Sequence, residues 1–451
     1  MSRTYSPRLS RRDWLRLSAA GVTAGSMSGW LETLAADVAS HPKRKRSCIL
    51  LWMNGGPSQM DTFDLKPGHA NGGPYKEIRT SSPDLRISEH LRRIARFGDR
   101  MAVIRSMSTK EGEHGRATFL LRTGYQPTGP IQYPTLGSLV AKEIGADDAP
   151  LPNFVSIGPG RLFNGAADGP GFLGPRYAPL VVGDRNAFFQ AQARGYEQAL
   201  KVQDIDLPGD VDRAHTNARI DLLQEMESDF LADHPGVAPL SHKTAYDRAV
   251  KLMRTEANKA FNLDEEPPML RDAYGRNLFG QGCLLARRLI ERGVPFVEVS
   301  LFGIRDNNGF FNWDSHQRNF DAVRKLSDIL DPAWGTLMED LQQRGLLDST
   351  LIVWMGEFGR TPRINRGQGR DHFPNAWSIV LAGGGIKGGQ AFGKTSADGS
   401  KVETRPVSVS DFLATVCLAL GIDPLKQNNS NVGRPIRIAD KSAQPIKEIL
   451  A

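Results

Sequence analysis

Three cysteines in 451 residues, Cys48, Cys283 and Cys417, are too few and too widely spaced for a disulfide framework or a CxxC metal pattern. Each lies in an apolar segment and reads as core. The chain also lacks an unbroken apolar run long enough for a stable membrane span. It has no internal repeat of the kind that builds solenoids, and no low-complexity block. Charge of one sign is scarce where it would matter. The net charge is +7, but residues 1–46 hold nine Lys and Arg against Asp13, Glu32 and Asp37, a net of +6 that leaves +1 for the rest. A near-neutral body has no electrostatic footprint for DNA or RNA, so nucleic acid is not expected as a partner. With 40% hydrophobic and 24% charged residues, the chain has ample material for a large globular core.

The charged start reads as an export signal. Ser10-Arg11-Arg12-Asp13-Trp14-Leu15-Arg16 matches the twin-arginine pattern, with Trp14 where Phe is usual, and a weakly apolar run over 15–39 follows it. Gly21, Gly25 and Gly29 weaken that run as a helix. The expected organisation is a twin-arginine signal and basic linker at 1–46, one α/β domain at 47–440 and a C-terminal tail at 441–451. The twin-arginine export machinery is the expected partner, the destination is periplasmic or extracellular, and no membrane span remains once the leader is removed.

Continuous apolar runs at 48–53, 153–157, 294–302, 350–355 and 377–382 read as buried strands, with helix-like stretches at 274–292 and 316–344 between them. Strands apolar on both faces and alternating with helices predict a mostly parallel sheet covered on each side. The polar, strand-poor segment 187–270 reads as a helical insertion.

Ligands of open α/β sheets bind beyond the carboxyl ends of the strands. Three loops there combine glycine with carboxylate: NGGPSQMDTFD (54–64), DNNGFFNWDSH (306–316) and GEFGRTPRINRGQGRDHFP (356–374). Their oxygen and nitrogen donors suit a divalent metal, with zinc or manganese favoured by histidine and calcium or magnesium next. Asp314 and His316 are spaced to chelate one ion, although Asp314 also fits a helix N-cap. Glu357 reads as ligand or general base, and His372 as ligand or exposed loop histidine. Asp61 and Asp64 form a weaker pair that Asx-turns also explain. In MSTKEGEHGRATFLLRTGY (107–125), His114, Arg116 and Thr118 stand at a helix entry suited to an anion. Arg116, Arg360 and Arg363 are candidate substrate-binding residues.

With these residues in hand, the chain resembles the secreted bacterial family of domain of unknown function 1501. The motifs are RRDWLRLSAAG, GGPSQMDTFD, NWDSHQRNF, GEFGRTPRI, GRDHFP and LAGGGIKGG. That family is grouped with the alkaline phosphatase and sulfatase superfamily. The resemblance implies an alkaline phosphatase-like fold and a one- or two-metal site that hydrolyses phosphate or sulfate esters of small molecules or glycans. It places Asn54 where the superfamily has a ligand Asp, and His114 at the nucleophile position. No C/S-x-P-x-R motif for formylglycine occurs. Attack would then fall to a metal-activated water, to Ser58 or to Thr118, with His114 as ligand, base or transient nucleophile. The alternative expectation is a catalytically degenerate binder of a glycan or protein partner.

Overall fold

In Ser47–Met53 (β1) every residue is buried, and the alternation of a strand sends its side chains into two different cores. Ile49, Leu51 and Met53 enter one, and Cys48, Leu50 and Trp52 the other. The computed structural model describes residues 46–451 except 128, 161–163, 184, 185, 203–211, 235, 236 and 255. The expected twin-arginine leader therefore lies outside the described residues.

Seven further strands join β1 in one sheet: β2 (Met101–Met107), β3 (Phe154–Ile157), β4 (Leu180–Val182), β5 (Phe296–Leu301), β6 (Thr350–Met355), β7 (Trp377–Gly383) and β8 (Gln390–Phe392). Their spatial order is β8-β2-β7-β6-β1-β5-β3-β4. All neighbours pair parallel except β7, which runs antiparallel to both β6 and β2. On one face, helices α1 (His114–Thr123), α2 (Leu136–Ile144) and α5 (Val409–Ala419) contribute Leu121, Leu139 and Phe412 to the core of Cys48 and Leu50. On the other, α3 (Leu278–Glu291) and α4 (Asn319–Gln343) contribute Leu285 and Leu337 to the core of Ile49 and Leu51. The mostly parallel α/β sheet covered on both faces is thus as expected, and all three cysteines are free and buried.

Several boundaries differ from the sequence reading for local reasons. The helix read over 274–292 begins only at Leu278, because Tyr274 ends a separate helix, Pro268–Tyr274, and Gly275 at φ 92° parts the two. The helix expected from residue 316 begins only at Asn319, after Arg318 at φ 52°, so 314–318 remain loop. Between β4 and β5 the described residues form helices and no strand, including Arg213–Asp233 and Val237–Arg254, which is the helical insertion. Glu266, at its end, is held by Arg287 (2.6 Å) and Arg288 (2.5 Å) of α3, and Arg287 also reaches Asp340 of α4 (2.8 Å). The last residues, expected as a tail, place Ile446 and Ile449 in the second core and bridge Leu450 to Ile386.

Candidate metal centre

The strand β1 ends at Asn54-Gly55-Gly56, and the two glycines take φ of 108° and 77°. A Cβ at Gly55 would lie 2.5 Å from the Asp314 backbone nitrogen. Glycine therefore lets the loop that carries Asp314 close down on the end of β1. The Gly55 amide donates to both carboxylate oxygens of Glu357, at 3.0 and 3.2 Å, and Glu357 stands two residues beyond the neighbouring parallel strand β6. Asn54, Glu357 and Asp314 thus meet at one end of the sheet.

His114 opens α1, whose N-cap Glu113 accepts from the Gly115 and Arg116 amides at 2.8 and 2.9 Å. That capping fixes the first turn, and with it the ring of His114. Its Nδ1 lies 2.6 Å from Glu357 Oε1 and its Nε2 3.3 Å from Asp314 Oδ1. His372 sits in a short ladder in which it pairs with Arg360. Its Nδ1 is 2.9 Å from the Gly112 carbonyl oxygen, and its Nε2 is 3.2 Å from Asp314 Oδ1. His316 repeats the pattern, with Nδ1 2.7 Å from Asp371 Oδ1 and Nε2 3.1 Å from Asp314 Oδ1. The Nε2 atoms of His316 and His372 are 3.0 Å apart.

The chemistry of this arrangement follows from the acceptors. Each Nδ1 faces an oxygen that can only accept, so in the neutral ring the hydrogen is on Nδ1 and Nε2 presents a lone pair. Three such lone pairs then converge on a carboxylate oxygen with no proton between them, which is favourable only around a cation or when a ring is protonated. The separations of 3.0 to 3.3 Å approach the edge of about 3.3 Å expected for a tetrahedral site with metal–ligand bonds of about 2.0–2.1 Å. A second-sphere acceptor on the far nitrogen of each ring is also the usual setting of metal-ligating histidine. The donor set therefore fits a divalent ion: His114, Asp314 and His372 form a group able to hold one, and His316 borders it.

Charge in the site is arranged accordingly. Burial would raise the Asp314 pKa, but hydrogen bonds from His114 and His372 and the Arg360 guanidinium hold it far below the usual carboxylate range. Burial would lower the His114 pKa, yet Asp314 and Glu357 outweigh it and push it up to about 9. The hydrogen bond from His316 keeps Asp371 low as well.

Other candidates are placed elsewhere. Glu357 is fully buried, and its oxygens face the His114 ring and the Gly55 amide. Asn54, next to Gly55 at the end of β1, accepts from Trp52 Nε1 at its Oδ1, at 3.1 Å. Asp61 is fully buried against Arg370 (2.8 Å) and Asn319 (2.8 Å), and Ser58 Oγ donates to it at 2.6 Å. Asp64 pairs with Lys66 at 2.9 Å. Thr118 is buried one turn along α1 from His114. Arg116 is exposed and paired with Glu111 at 3.1 Å, and Arg363 is exposed. Arg360, the other substrate-binding candidate, turns inward. It is wholly buried, and its guanidinium donates to the carbonyls of Gly55, Gly56 and Arg370 and, at 2.7 Å, to Asp314.

Sequence reasoning missed Asp371, the Gly112 carbonyl and the Asp61–Arg370 pair. No local signal marked Asp371, because its partner His316 is 55 residues away.

No curated protein matches the chain in sequence. Among solved structures it is similar to the PsFucS1 sulfatase from Pseudoalteromonas sp. (14% identity, TM-score 0.39, covering 92% of this chain and 72% of that one). It is similar also to the lipoteichoic acid synthase LtaP from Listeria monocytogenes (9%, 0.38, 88% and 74%). A third is the phosphonate monoester hydrolase of Agrobacterium radiobacter (13%, 0.34, 85% and 75%). The family model described as "Protein of unknown function (DUF1501)" matches residues 45–450, nearly the whole chain, and the protein belongs to that family.

Proposed function

We propose that the protein is an exported, metal-dependent hydrolase of phosphate or sulfate esters, carried by small molecules or glycans. The observation that carries this reading is the convergence of three imidazole Nε2 atoms on Asp314 Oδ1, each ring held at Nδ1 by its own acceptor. His114, Asp314, His316 and His372 would hold the ion, zinc or manganese before magnesium or calcium by donor type. A divalent ion there supplies Lewis acidity, polarising an ester oxygen and acidifying water. Glu357 keeps the His114 hydrogen on Nδ1, which turns the Nε2 lone pair toward the ion. Arg360 offsets the Asp314 charge from the protein side. Substrate access is from the His316 side, where the His316 and Asp371 side chains are 45% and 54% exposed. Asp371 is the carboxylate at that rim, and it holds the His316 hydrogen on Nδ1 so that Nε2 faces the ion. A hydroxyl nucleophile has less support, because Ser58 Oγ is committed to Asp61 and Thr118 is buried.

The test is metal analysis of the purified exported protein, followed by a panel of phosphate and sulfate monoesters that includes sulfated glycans. Stoichiometric zinc or manganese is expected, with turnover that chelation removes and the metal restores. Bound metal without turnover on any ester would favour the degenerate binding protein. A wild type that purifies metal-free and gains no stability from either ion would remove the metal reading. Export has a separate check. Replacing Arg11 and Arg12 together with Lys should leave the precursor inside the cell, because the twin-arginine route reads that pair; normal export of the double variant would refute the leader assignment.

A further inference from the structure

The helix Arg213–Asp233 of the insertion has two contrasting sides. Thr216, Ile220, Leu223, Gln224 and Leu231 recur at helical spacing, are half-buried and mark the side turned to the chain, where helix Val237–Arg254 is a neighbour. Beside that side runs a stripe of Leu222, Met226 and Phe230, at i, i+4 and i+8, which are 57%, 61% and 53% exposed. Three large apolar side chains in one exposed stripe are more than the scattered surface apolars of a soluble protein.

The charges on the same face decide what covers it. In chain order this face carries His215, Arg219, Leu222, Met226, Asp229, Phe230 and Asp233, all exposed. The order is basic, apolar, acidic, and it is symmetric about Gln224. Arg219 and Asp229 stand five residues either side of it, Leu222 and Met226 two, and His215 and Asp233 nine. When two copies of a helix pack antiparallel about a two-fold axis, residues equidistant from the axis face each other.

We propose that this face docks on the same face of a second copy of the chain, antiparallel, with the axis crossing the helix at the level of residue 224. Leu222 then meets Met226 of the second copy and Arg219 meets Asp229, each contact occurring twice. A parallel arrangement would oppose Asp229 to Asp229 and Asp233 to Asp233, so the charges select the antiparallel register while the apolar centre supplies the affinity. The carboxylates Asp229 and Asp233 also make the face a poor fit to an anionic lipid surface.

The experiment is sedimentation equilibrium of the full-length protein over a concentration series. The wild type should be a dimer in equilibrium with monomer. Met226→Glu places two carboxylates at the centre, one from each copy, and should weaken the dimer by ~100-fold while leaving the far-UV circular dichroism unchanged. Arg219→Asp alone should also weaken it, and Arg219→Asp combined with Asp229→Arg should restore it, which no loss of folding could mimic. A wild type that is monomeric throughout the series overturns the proposal, as does a dimer indifferent to Met226→Glu. The same holds for a monomer that uses this face to bind vesicles of acidic lipid or an unrelated protein.

Discussion

His316→Ala should lose most of its bound metal yet keep its fold. Its side chain is 45% exposed, so truncation opens no buried cavity, whereas a lone pair facing the cluster disappears. Glu357→Gln, by contrast, keeps every donor of the cluster and changes what His114 Nδ1 and the Gly55 amide face. A loss of ~10–100-fold in metal affinity is expected there, as for other second-sphere partners, and His316→Ala should exceed it. Competitive titration against a chromophoric chelator measures both. The same centre predicts opposite pH profiles for the chelated and loaded protein. In the chelated protein the His114 imidazolium lies between Asp314 and Glu357, with its pKa raised from 6.5 to about 9. A group raised on folding contributes stability that is full below its unfolded pKa and fades as pH rises through the folded one. Chelated protein should therefore lose melting temperature from about pH 6.5 to about pH 9. Metal needs the neutral ring, so its affinity, and the stabilisation it brings, should rise over that window. Parallel slopes with and without chelator would show that no metal competes with the proton at His114.

How much of this was legible beforehand depended on whether a residue's job could be done by local sequence. The runs at 48–53 and 350–355 were readable as buried strands because apolarity on both faces leaves no other home for them. The direction of β7 was not readable, since an apolar run is the same read either way, and only its pairing with β6 and β2 sets it antiparallel. Asp314 and His372 were legible as donors on glycine-rich loops, but ligand and second-sphere partner use the same side chains. Glu357 after a strand is consistent with both, and its place is settled by Gly55 and His114, which are 302 and 243 residues away. Arg360 looked like a loop arginine because the backbone carbonyls that receive it belong to a different loop. His114 gave the least local information, since the helix start it occupies suits an anion as well as a ligand.

Arg370→Met is expected to destabilise the protein by about 3–5 kcal/mol, the range for breaking one side of a buried ion pair. Both partners are wholly buried: Arg370 Nε lies 2.8 Å from Asp61 Oδ2 and Nη2 3.2 Å from Oδ1. Without Arg370, the Asp61 carboxylate keeps only Ser58 and Asn319, at 2.6 and 2.8 Å, neither of which is charged. The loss should come mainly from that stranded charge. Asp61→Asn made in the Arg370→Met background should therefore recover part of the stability, and a double-mutant cycle by denaturant unfolding of the chelated protein reads the coupling. The effect should extend to the metal. Asp61 follows β1 on the loop of Gly55, and Asn319 opens the helix after the loop of Asp314 and His316, with Ser315 Oγ 2.6 Å from its Oδ1. Arg370 stands two residues before His372, and its amide donates to the Ser315 carbonyl at 3.0 Å. One ion pair thus fastens the three loops that set the spacing of the donors, none of which it touches. Arg370→Met should accordingly weaken metal binding even under conditions where the variant is fully folded, and Asp61→Asn should not fully repair it. Metal affinity equal to wild type in a folded Arg370→Met would show that the donors are positioned by their own shells alone, leaving the Asp61–Arg370 pair a fastening of the fold and nothing more.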